Sequence, residues 1–266
     1  MNDTATLPEY ETVPPALTHR ACSSSKANDQ HATGALIINA DDWGRDDSTT
    51  RKIAECARVG AISSVSAMVF MAGTDSAAEI ASEASLDVGL HLNFTTPFDG
   101  HSCPRGLAER QRTVGAYLRG HRFAQAVYHP GLANDFTYAV RAQLEEFEKL
   151  YGVPPRRLDG HHHMHLCANV LLGGLLPTGT IVRRNFSFVP GEKSAVNRLY
   201  RRLVDNALAR HHRLTDFFFS LSPIEPRERL GRIFALARHA VVEVETHPVR
   251  RDEYTLLLGS AKGPAR

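Results

Sequence analysis

The chain has 266 residues, of which 42% are hydrophobic, and a formal net charge of +2, so it can bury the core of one α/β barrel or of two small domains. The small excess of positive charge is too dispersed to predict a nucleic-acid partner. No stretch approaches the roughly 18 consecutive apolar residues of a membrane-spanning helix, which excludes a membrane span. The 14 histidines are the unusual feature of the composition and indicate a metal site.

Residues 1–34 precede the first apolar segment and are rich in Ser, Thr, Asn and acidic residues. They have neither the basic start nor the apolar stretch of a secretory signal, so we expect a disordered leader. The four cysteines lack the spacing of a zinc site and are typical of reduced thiols; they are Cys22, Cys56, Cys103 and Cys167. These features predict a cytoplasmic protein.

Strands and helices alternate along residues 35–258, which we predict to form a single domain. The first strand, 35–39, is a continuous apolar run of the kind that a parallel sheet buries on both faces. Further strands are predicted at 64–70, 86–93, 156–159, 180–183, 216–219 and 241–245, and helices at 48–59, 77–84, 136–150, 194–210 and 226–238. About seven strands in such alternation predict an α/β fold and favour a parallel (β/α) barrel over a doubly wound open sheet.

Two further segments are predicted to be irregular. Residues 95–135 are rich in Pro, Gly, His and Arg. A connection of this length inside a compact domain is usually functional, so we interpret it as a substrate loop insertion. Residues 259–266 are expected to be a flexible tail.

Polar side chains follow several of the predicted strands. Asp41 and Asp42 come after the first strand, His91 ends the third, the segment 161–165 follows the fourth, and His247 follows the last. Because the carboxyl ends of parallel strands converge on one face, we expect these groups to form one site.

The adjacent carboxylates of Asp41 and Asp42 are expected to have different roles. Successive side chains on extended backbone point in different directions. One can therefore bind a metal while the other faces the reacting water as a base. The alternative is a strand-to-helix turn with an aspartate cap.

The segment 161–165 reads His-His-His-Met-His. Imidazole is the commonest neutral metal ligand near pH 7, and adjacent histidines allow one to bind while another supports it. Adjacency does not identify the ligand. His91 fits either a ligand or a hydrogen-bonded core histidine, and His247 either a proton donor to a leaving group or a cap.

Three other residues have open interpretations. Arg183 and Arg184 follow a predicted strand and fit either a substrate-binding pair or a solvated one. Trp43, the only tryptophan, either stacks on a bound substrate or fills the barrel rim. The sequence has no GxGxxG, GxxxxGK[ST], GxSxG or HExxH motif, so the residues themselves predict a metal-dependent hydrolase of another type.

Three segments together resemble a known family. They are Leu36 to Gly44 (LIINADDWG), Gly89 to Asn93 (GLHLN) and Leu158 to His165 (LDGHHHMH), and they are similar to the signatures of the YdjC-like carbohydrate deacetylases. That family includes chitooligosaccharide deacetylases and hopanoid-associated deacetylases. The resemblance extends from about residue 35 to about residue 254.

The resemblance implies a distorted (β/α) barrel that removes the acetyl group from an N-acetylated saccharide. It also implies a divalent metal ion held by Asp42, His91 and His161, with His165 as the alternative third ligand and Asp41 as the general base. His247 matches the family's His-Pro segment, although Val249 stands where the family usually has glycine. The family suggests Mg²⁺, whereas two imidazoles and one carboxylate also suit Zn²⁺ or another first-row ion.

Two rival functions use the same residues. One is another metal-dependent hydrolase such as a phosphoesterase, and the other is a non-catalytic protein that binds a metal or a saccharide. A glycosidase that uses Asp41 and Asp42 is disfavoured, because adjacent carboxylates do not readily flank a sugar ring. The sequence indicates no nucleic-acid partner and does not indicate an oligomeric state.

Overall fold

The computed structural model describes residues 34–120, 123–188 and 192–261. Its strands are β1 (Ala35–Trp43), β2 (Ser64–Ala67), β3 (Val88–Leu92), β4 (Arg157–Gly160), β5 (Ile181–Val182), β6 (Phe217–Ser220) and β7 (Val241–Thr246). Its α-helices are α1 (Asp47–Arg58), α2 (Thr74–Ala84), α3 (Arg105–Gly120), α4 (Ala133–Tyr151), α5 (Ala168–Leu172), α6 (Ala195–Leu208), α7 (Arg227–Leu236) and α8 (Arg251–Ala261). None of these described helices is both long and apolar enough to cross a bilayer.

The strands form one parallel sheet that curls towards closure. The strand order is β5-β4-β3-β2-β1-β7-β6, so β1 to β5 lie side by side in chain order and β7 lies between β1 and β6. The edge strands β5 and β6 meet through a parallel bridge between Ile181 and Arg213 and through hydrogen bonds between Ser187 and Phe218. The predicted distorted (β/α) barrel is confirmed. The doubly wound alternative is wrong because the strand order never reverses.

The alternation of side chains along β7 explains why this barrel has a polar interior. Val242 and Val244 belong to the apolar core and are fully buried. Glu243 and Glu245 lie on the opposite face of the strand and both contact Arg183. The inside of the barrel therefore holds charged groups where such barrels usually pack branched apolar side chains.

Helix α4 closely matches its prediction. Phe136, Val140 and Phe147 recur at three- and four-residue spacing and are buried. Gly152 ends the helix with a φ of 73°, a left-handed conformation that glycine adopts without steric cost. The sequence pattern thus indicated both the buried face of this helix and the residue at which it ends.

Helix α3 corrects the prediction of an irregular segment at 95–135. It spans 16 residues and packs against α4. Leu107, Gln111, Val114 and Leu118 form its buried face at three- and four-residue spacing. The prediction missed this pattern because arginines and glycines dilute it and a glutamine occupies one buried position.

The ends of the chain require a second correction. Helix α8 extends to Ala261, so residues 259–261 of the predicted flexible tail are helical. Residues 262–266 lie outside the described residues, as do residues 1–33 of the predicted leader.

Replacing Phe136 with alanine tests the packing of α4. The side chain of Phe136 is fully buried, so its removal is expected to lower the free energy of unfolding by about 3–5 kcal/mol. Tyr138, two positions away, is 44% exposed, and Tyr138→Ala should cost less than about 1 kcal/mol. Urea unfolding measures both variants, and equal losses would contradict this packing.

Candidate active site

The predicted site residues meet at the carboxyl ends of the strands. Asp41 and Asp42 lie near the end of β1, and His91 lies near the end of β3. His91 pairs in register with Asp159 of β4, and His247 directly follows β7. The expected convergence of these groups at one edge of the sheet is confirmed.

The two adjacent aspartates face different partners. Asp42 has a φ of 67°, so the backbone turns at this residue. The carboxylate of Asp41 contacts Arg183, whereas that of Asp42 contacts His91 and His161. The two carboxylates therefore have different partners, and their division into metal ligand and base stays a prediction. Trp43 is fully buried and offers no face to a sugar.

The side chains of Asp42, His91 and His161 form a group that fits a metal ion. Oδ1 of Asp42 lies 2.9 Å from Nδ1 of His161 and 3.5 Å from Nε2 of His91. Each residue presents one donor atom, and the three atoms lie within 4.8 Å of one another. Oδ1 of Asp42 has no hydrogen-bond partner within the part of the chain that the structure describes. One carboxylate and two imidazoles are a donor set that binds divalent first-row ions.

His91 is oriented by Asp159. Its Nδ1 lies 2.7 Å from Oδ1 of Asp159, which leaves Nε2 facing Asp42. Burial alone would lower the pKa of His91, but the charges of Asp159 and Asp41 raise it to about 10. An imidazole must be neutral to bind a metal, so ion binding at neutral pH displaces a proton from this ring. The pairing with Asp159 then holds the ring in the orientation for binding.

The backbone conformation of residues 161–165 directs the histidines of the cluster to different partners. His162 and His163 both have left-handed conformations, with φ of 54° and 58°, which are strained for residues other than glycine. The turn brings His161 beside Asp42. His165 instead is fully buried, with its Nε2 2.9 Å from the carbonyl oxygen of Arg183.

Arg183 lies at the centre of the site's charges. Its guanidinium makes two hydrogen bonds to Asp41, of 2.7 and 2.8 Å. It also lies 2.7 Å from Asp159, 2.7 Å from Glu243 and 3.4 Å from Glu245. The side chain is 1% exposed. The interpretation of Arg183 as a solvated residue is therefore wrong, and its contact with a substrate stays a prediction.

Arg184 has a structural contact as well. Its Nη2 lies 3.0 Å from Oδ2 of Asp205 on α6, and its Nη1 donates to the carbonyl oxygens of Thr215 and Asp216. This arginine therefore joins α6 to the segment before β6.

One arginine cannot keep four buried carboxylates fully ionised. Burial would raise the pKa of Asp41, but Arg183 holds it below its usual range. Burial and the charge of Asp41 raise the pKa of Glu245 well above that of an ordinary glutamate. Burial also raises the pKa of Glu243. Asp41 is therefore ionised at neutral pH, and the two glutamates retain protons to higher pH than usual.

His247 lies at the accessible edge of the site. Its side chain is 30% exposed, and its Nε2 lies 4.0 Å from Oδ2 of Asp41. The buried Glu253 accepts hydrogen bonds from the backbone N–H of His247 and from the hydroxyls of Thr246 and Ser222. This carboxylate fixes the start of the loop that carries His247.

Comparison with known proteins supports the resemblance seen in the sequence. A family model for YdjC-like proteins matches residues 35–262. The chain belongs to the YdjC-like family. The chitooligosaccharide deacetylase of Proteus mirabilis (strain HI4320) is 33% identical over 132 residues, which are 49% of this chain and 50% of that protein. The carbohydrate deacetylase of Homo sapiens is 34% identical over 140 residues, which are 51% of this chain and 42% of that protein.

These matches span about half the length of either curated relative. Among solved structures, a protein of Enterococcus faecalis V583, provisionally described as a cellobiose-phosphate cleavage protein, superposes with a TM-score of 0.56. It is 21% identical, and the superposition covers 81% of each chain. At this identity the likeness shows a shared fold alone.

Sequence reasoning missed most of the charged partners in this YdjC-like site. Asp159 was visible beside the histidine cluster but had no assigned role. Glu243 and Glu245 carried a usable signal, because carboxylates at alternate positions of an apolar strand must share one face. Glu253 had no comparable signal, since its hydrogen bonds depend on where α8 packs.

The pH dependence of stability tests the environment of His165. Burial lowers the pKa of this ring from 6.5 to about 4. Below pH 6.5 the unfolded chain binds a proton that the folded protein does not, so stability contributed by the neutral ring is lost as the pH falls towards 4. His165→Gln keeps a donor for the carbonyl of Arg183 without titrating. Between pH 6.5 and pH 4, we expect the free energy of unfolding of His165→Gln to fall by about 3 kcal/mol less than that of the wild-type protein.

Urea unfolding at several pH values measures this difference. His211→Gln is the matched control, because His211 is exposed, and it should follow the wild-type curve. Parallel curves for wild type and His165→Gln would contradict a neutral buried ring.

Proposed function

We propose that this protein is a metal-dependent hydrolase that removes the acetyl group from an N-acetylated saccharide. The observation that carries the proposal is the metal-binding group of Asp42, His91 and His161 beside a separate, ionised Asp41. The names of the curated relatives, chitooligosaccharide deacetylase and carbohydrate deacetylase, support the reaction and the substrate class.

In this proposal Asp42, His91 and His161 hold a divalent ion. The resemblance to the family favours Mg²⁺, and the two nitrogen donors equally suit Zn²⁺ or another first-row ion. When bound, such an ion polarises a carbonyl and lowers the pKa of water, which an acetamide substrate requires.

Asp41 takes the proton of the attacking water. Arg183 holds this carboxylate by two hydrogen bonds and keeps it ionised. The water oxygen forms a bond to the acetyl carbon, and the bond between that carbon and the sugar nitrogen then breaks. The products are acetate and an amino sugar.

His247 donates a proton to the departing amine. An amine leaves readily only when it is protonated, and histidine titrates near neutral pH. The 4.0 Å between His247 and Asp41 supports this role, because both groups then face the same reacting centre. The partial exposure of His247 allows it to recover a proton from solvent.

The segment 95–135 is proposed to contact the saccharide. Thr95 Oγ1 lies 2.9 Å from Nδ1 of His162, and Gln125 donates to the carbonyl oxygen of His163. These two contacts place the first residue of the segment and a residue of its second half against the histidine cluster. Changes in this segment would therefore alter which saccharide is accepted.

The phosphoesterase alternative is less well supported. A phosphate dianion needs positive charge at the site, and Arg183 is already paired with four carboxylates. Arg45 pairs with Asp42 and is the partly exposed cation next to the metal-binding group. The excess of carboxylates favours a neutral substrate such as an acetamide.

Replacing Asp41 with asparagine separates catalysis from binding. The variant loses the proton acceptor but keeps the metal-binding group, so acetate release should fall by about 10²- to 10⁴-fold. Acetate released from N-acetylated chitooligosaccharides in the presence of Mg²⁺ or Zn²⁺ is the measurement, with calorimetry for metal binding. Asp75→Asn, an exposed aspartate on α2, is the control and should retain activity.

Two results count against the proposal. Undiminished activity of Asp41→Asn removes the proposed base. Absence of acetate release by the wild-type protein, with either ion and every N-acetylated saccharide tried, leaves the non-catalytic binding protein as the better reading.

Metal affinity tests the third ligand. His161→Ala should weaken divalent ion binding by about a hundredfold or more, because loss of even a supporting partner of a ligand costs about 10- to 100-fold. His165→Gln should bind the ion as the wild-type protein does. The reverse order of affinities, measured by calorimetry, would assign the ligand role to His165.

A further inference from the structure

Helix α6 has its apolar side turned towards solvent. Val196, Leu199, Tyr200 and Leu203 recur at three- and four-residue spacing along one side of the helix. They are 79%, 55%, 43% and 59% exposed. A helix on the surface of a soluble protein normally turns such a stripe towards the core. A contiguous exposed stripe of this kind marks an interaction surface.

The side of α6 that faces the protein carries Leu208 and Val204, which pack on the core, together with charged groups. Asp205 is 7% exposed and pairs with Arg184. The same carboxylate accepts hydrogen bonds from the backbone and side-chain nitrogens of Asn185. Arg201 is directed inward too, with its guanidinium 5.1 Å from the ring centre of Phe188. These polar contacts fix the rotation of α6, so its apolar side cannot turn inward without breaking them.

The surroundings of the exposed stripe are mostly basic, although the exposed Glu192 adjoins Lys193. Arg202 lies beside it on the helix, and Lys193 and Arg210 lie just beyond its two ends; all three are exposed. Arg198 is partly buried on the same edge as Arg202. Asp205 is the single acidic residue within α6, and it is buried and paired. An occupant of this surface therefore meets apolar side chains bordered by positive charge.

We propose that α6 docks onto an anionic lipid bilayer, with its axis parallel to the membrane plane. An apolar side bordered by Lys and Arg is the arrangement of helices that lie in the membrane interface. The leucines and Val196 would enter the boundary between headgroups and acyl chains. Tyr200 suits the headgroup level, and the flanking cations would meet anionic headgroups.

A second copy of the chain fits this surface less well. In an antiparallel, two-fold pairing of α6 helices, Arg198 and Arg202 would face the same residues of the second copy and repel them. The helix has 14 residues, a length of about 21 Å. One helix side of this length buries less than the roughly 800 Å² per partner of a stable interface.

The docking surface is connected to the candidate active site through the chain before α6. The residues between β5 and α6 include Phe186, whose ring centre lies 4.7 Å from that of His163. The proposal rests on the helix surface and does not depend on the deacetylase reaction.

Co-sedimentation with vesicles tests the proposal on the full chain. Vesicles of phosphatidylglycerol mixed equally with phosphatidylcholine should bind the protein, and pure phosphatidylcholine should bind it much more weakly. The double variant Leu199→Gln, Leu203→Gln should bind the anionic vesicles at least about tenfold more weakly, because it removes apolar area that the membrane would bury. Leu172→Gln is the control, since Leu172 is 75% exposed on α5 and lies outside the stripe.

Circular dichroism and acetate release from a water-soluble N-acetylated saccharide should be unchanged in these variants. Membrane docking and the proposed reaction can therefore fail separately. Docking is overturned if wild-type protein does not bind anionic vesicles, if it binds both vesicle types equally, or if the double variant binds as wild type does. A wild-type dimer that the double variant dissociates, seen by analytical ultracentrifugation without vesicle binding, would assign the surface to a second copy instead.

Discussion

The structure depends on the pairing of Arg183 with carboxylates inside the barrel. This guanidinium on the chain after β5 contacts side chains of β1, β4 and β7, so it ties together strands from all sides of the curled sheet. Charges buried in this way are costly unless each has a partner. Removal of Arg183 would leave several carboxylates facing one another without a cation. The same pairing holds the pKa of Asp41 below its usual range, whereas burial and the charge of Asp41 raise the pKa of Glu245 despite Arg183.

The division of roles at the site follows from this pairing. Arg183 occupies both oxygens of Asp41, and the turn at Asp42 directs the next carboxylate to the histidines instead. Asp159 is shared, with one oxygen on Arg183 and the other on Nδ1 of His91. The metal-binding group and the proposed base are therefore coupled through one carboxylate rather than being independent.

Much of this arrangement could be predicted from the sequence, because strand ends in a parallel barrel converge. That rule alone grouped Asp41, Asp42, His91 and the histidine cluster. It could not distinguish His161 from His165, since the left-handed turns at His162 and His163 are not encoded by residue type. Arg183 was misread because its partners come from distant strands, and an Arg-Arg pair examined locally resembles a solvated one. Helix α3 was missed because a buried glutamine interrupts its apolar pattern.

Arg183 and Asp41 are 142 residues apart along the chain, and this separation has a consequence for folding. Neither the amino-terminal nor the carboxyl-terminal half contains both members of the pair, so neither half alone can form this ion pair. Contacts between such distant residues form late, after the entropy of closing a long loop has been overcome. The pairing that lowers the pKa of Asp41 and the closing of the sheet are therefore expected to form together, late in folding.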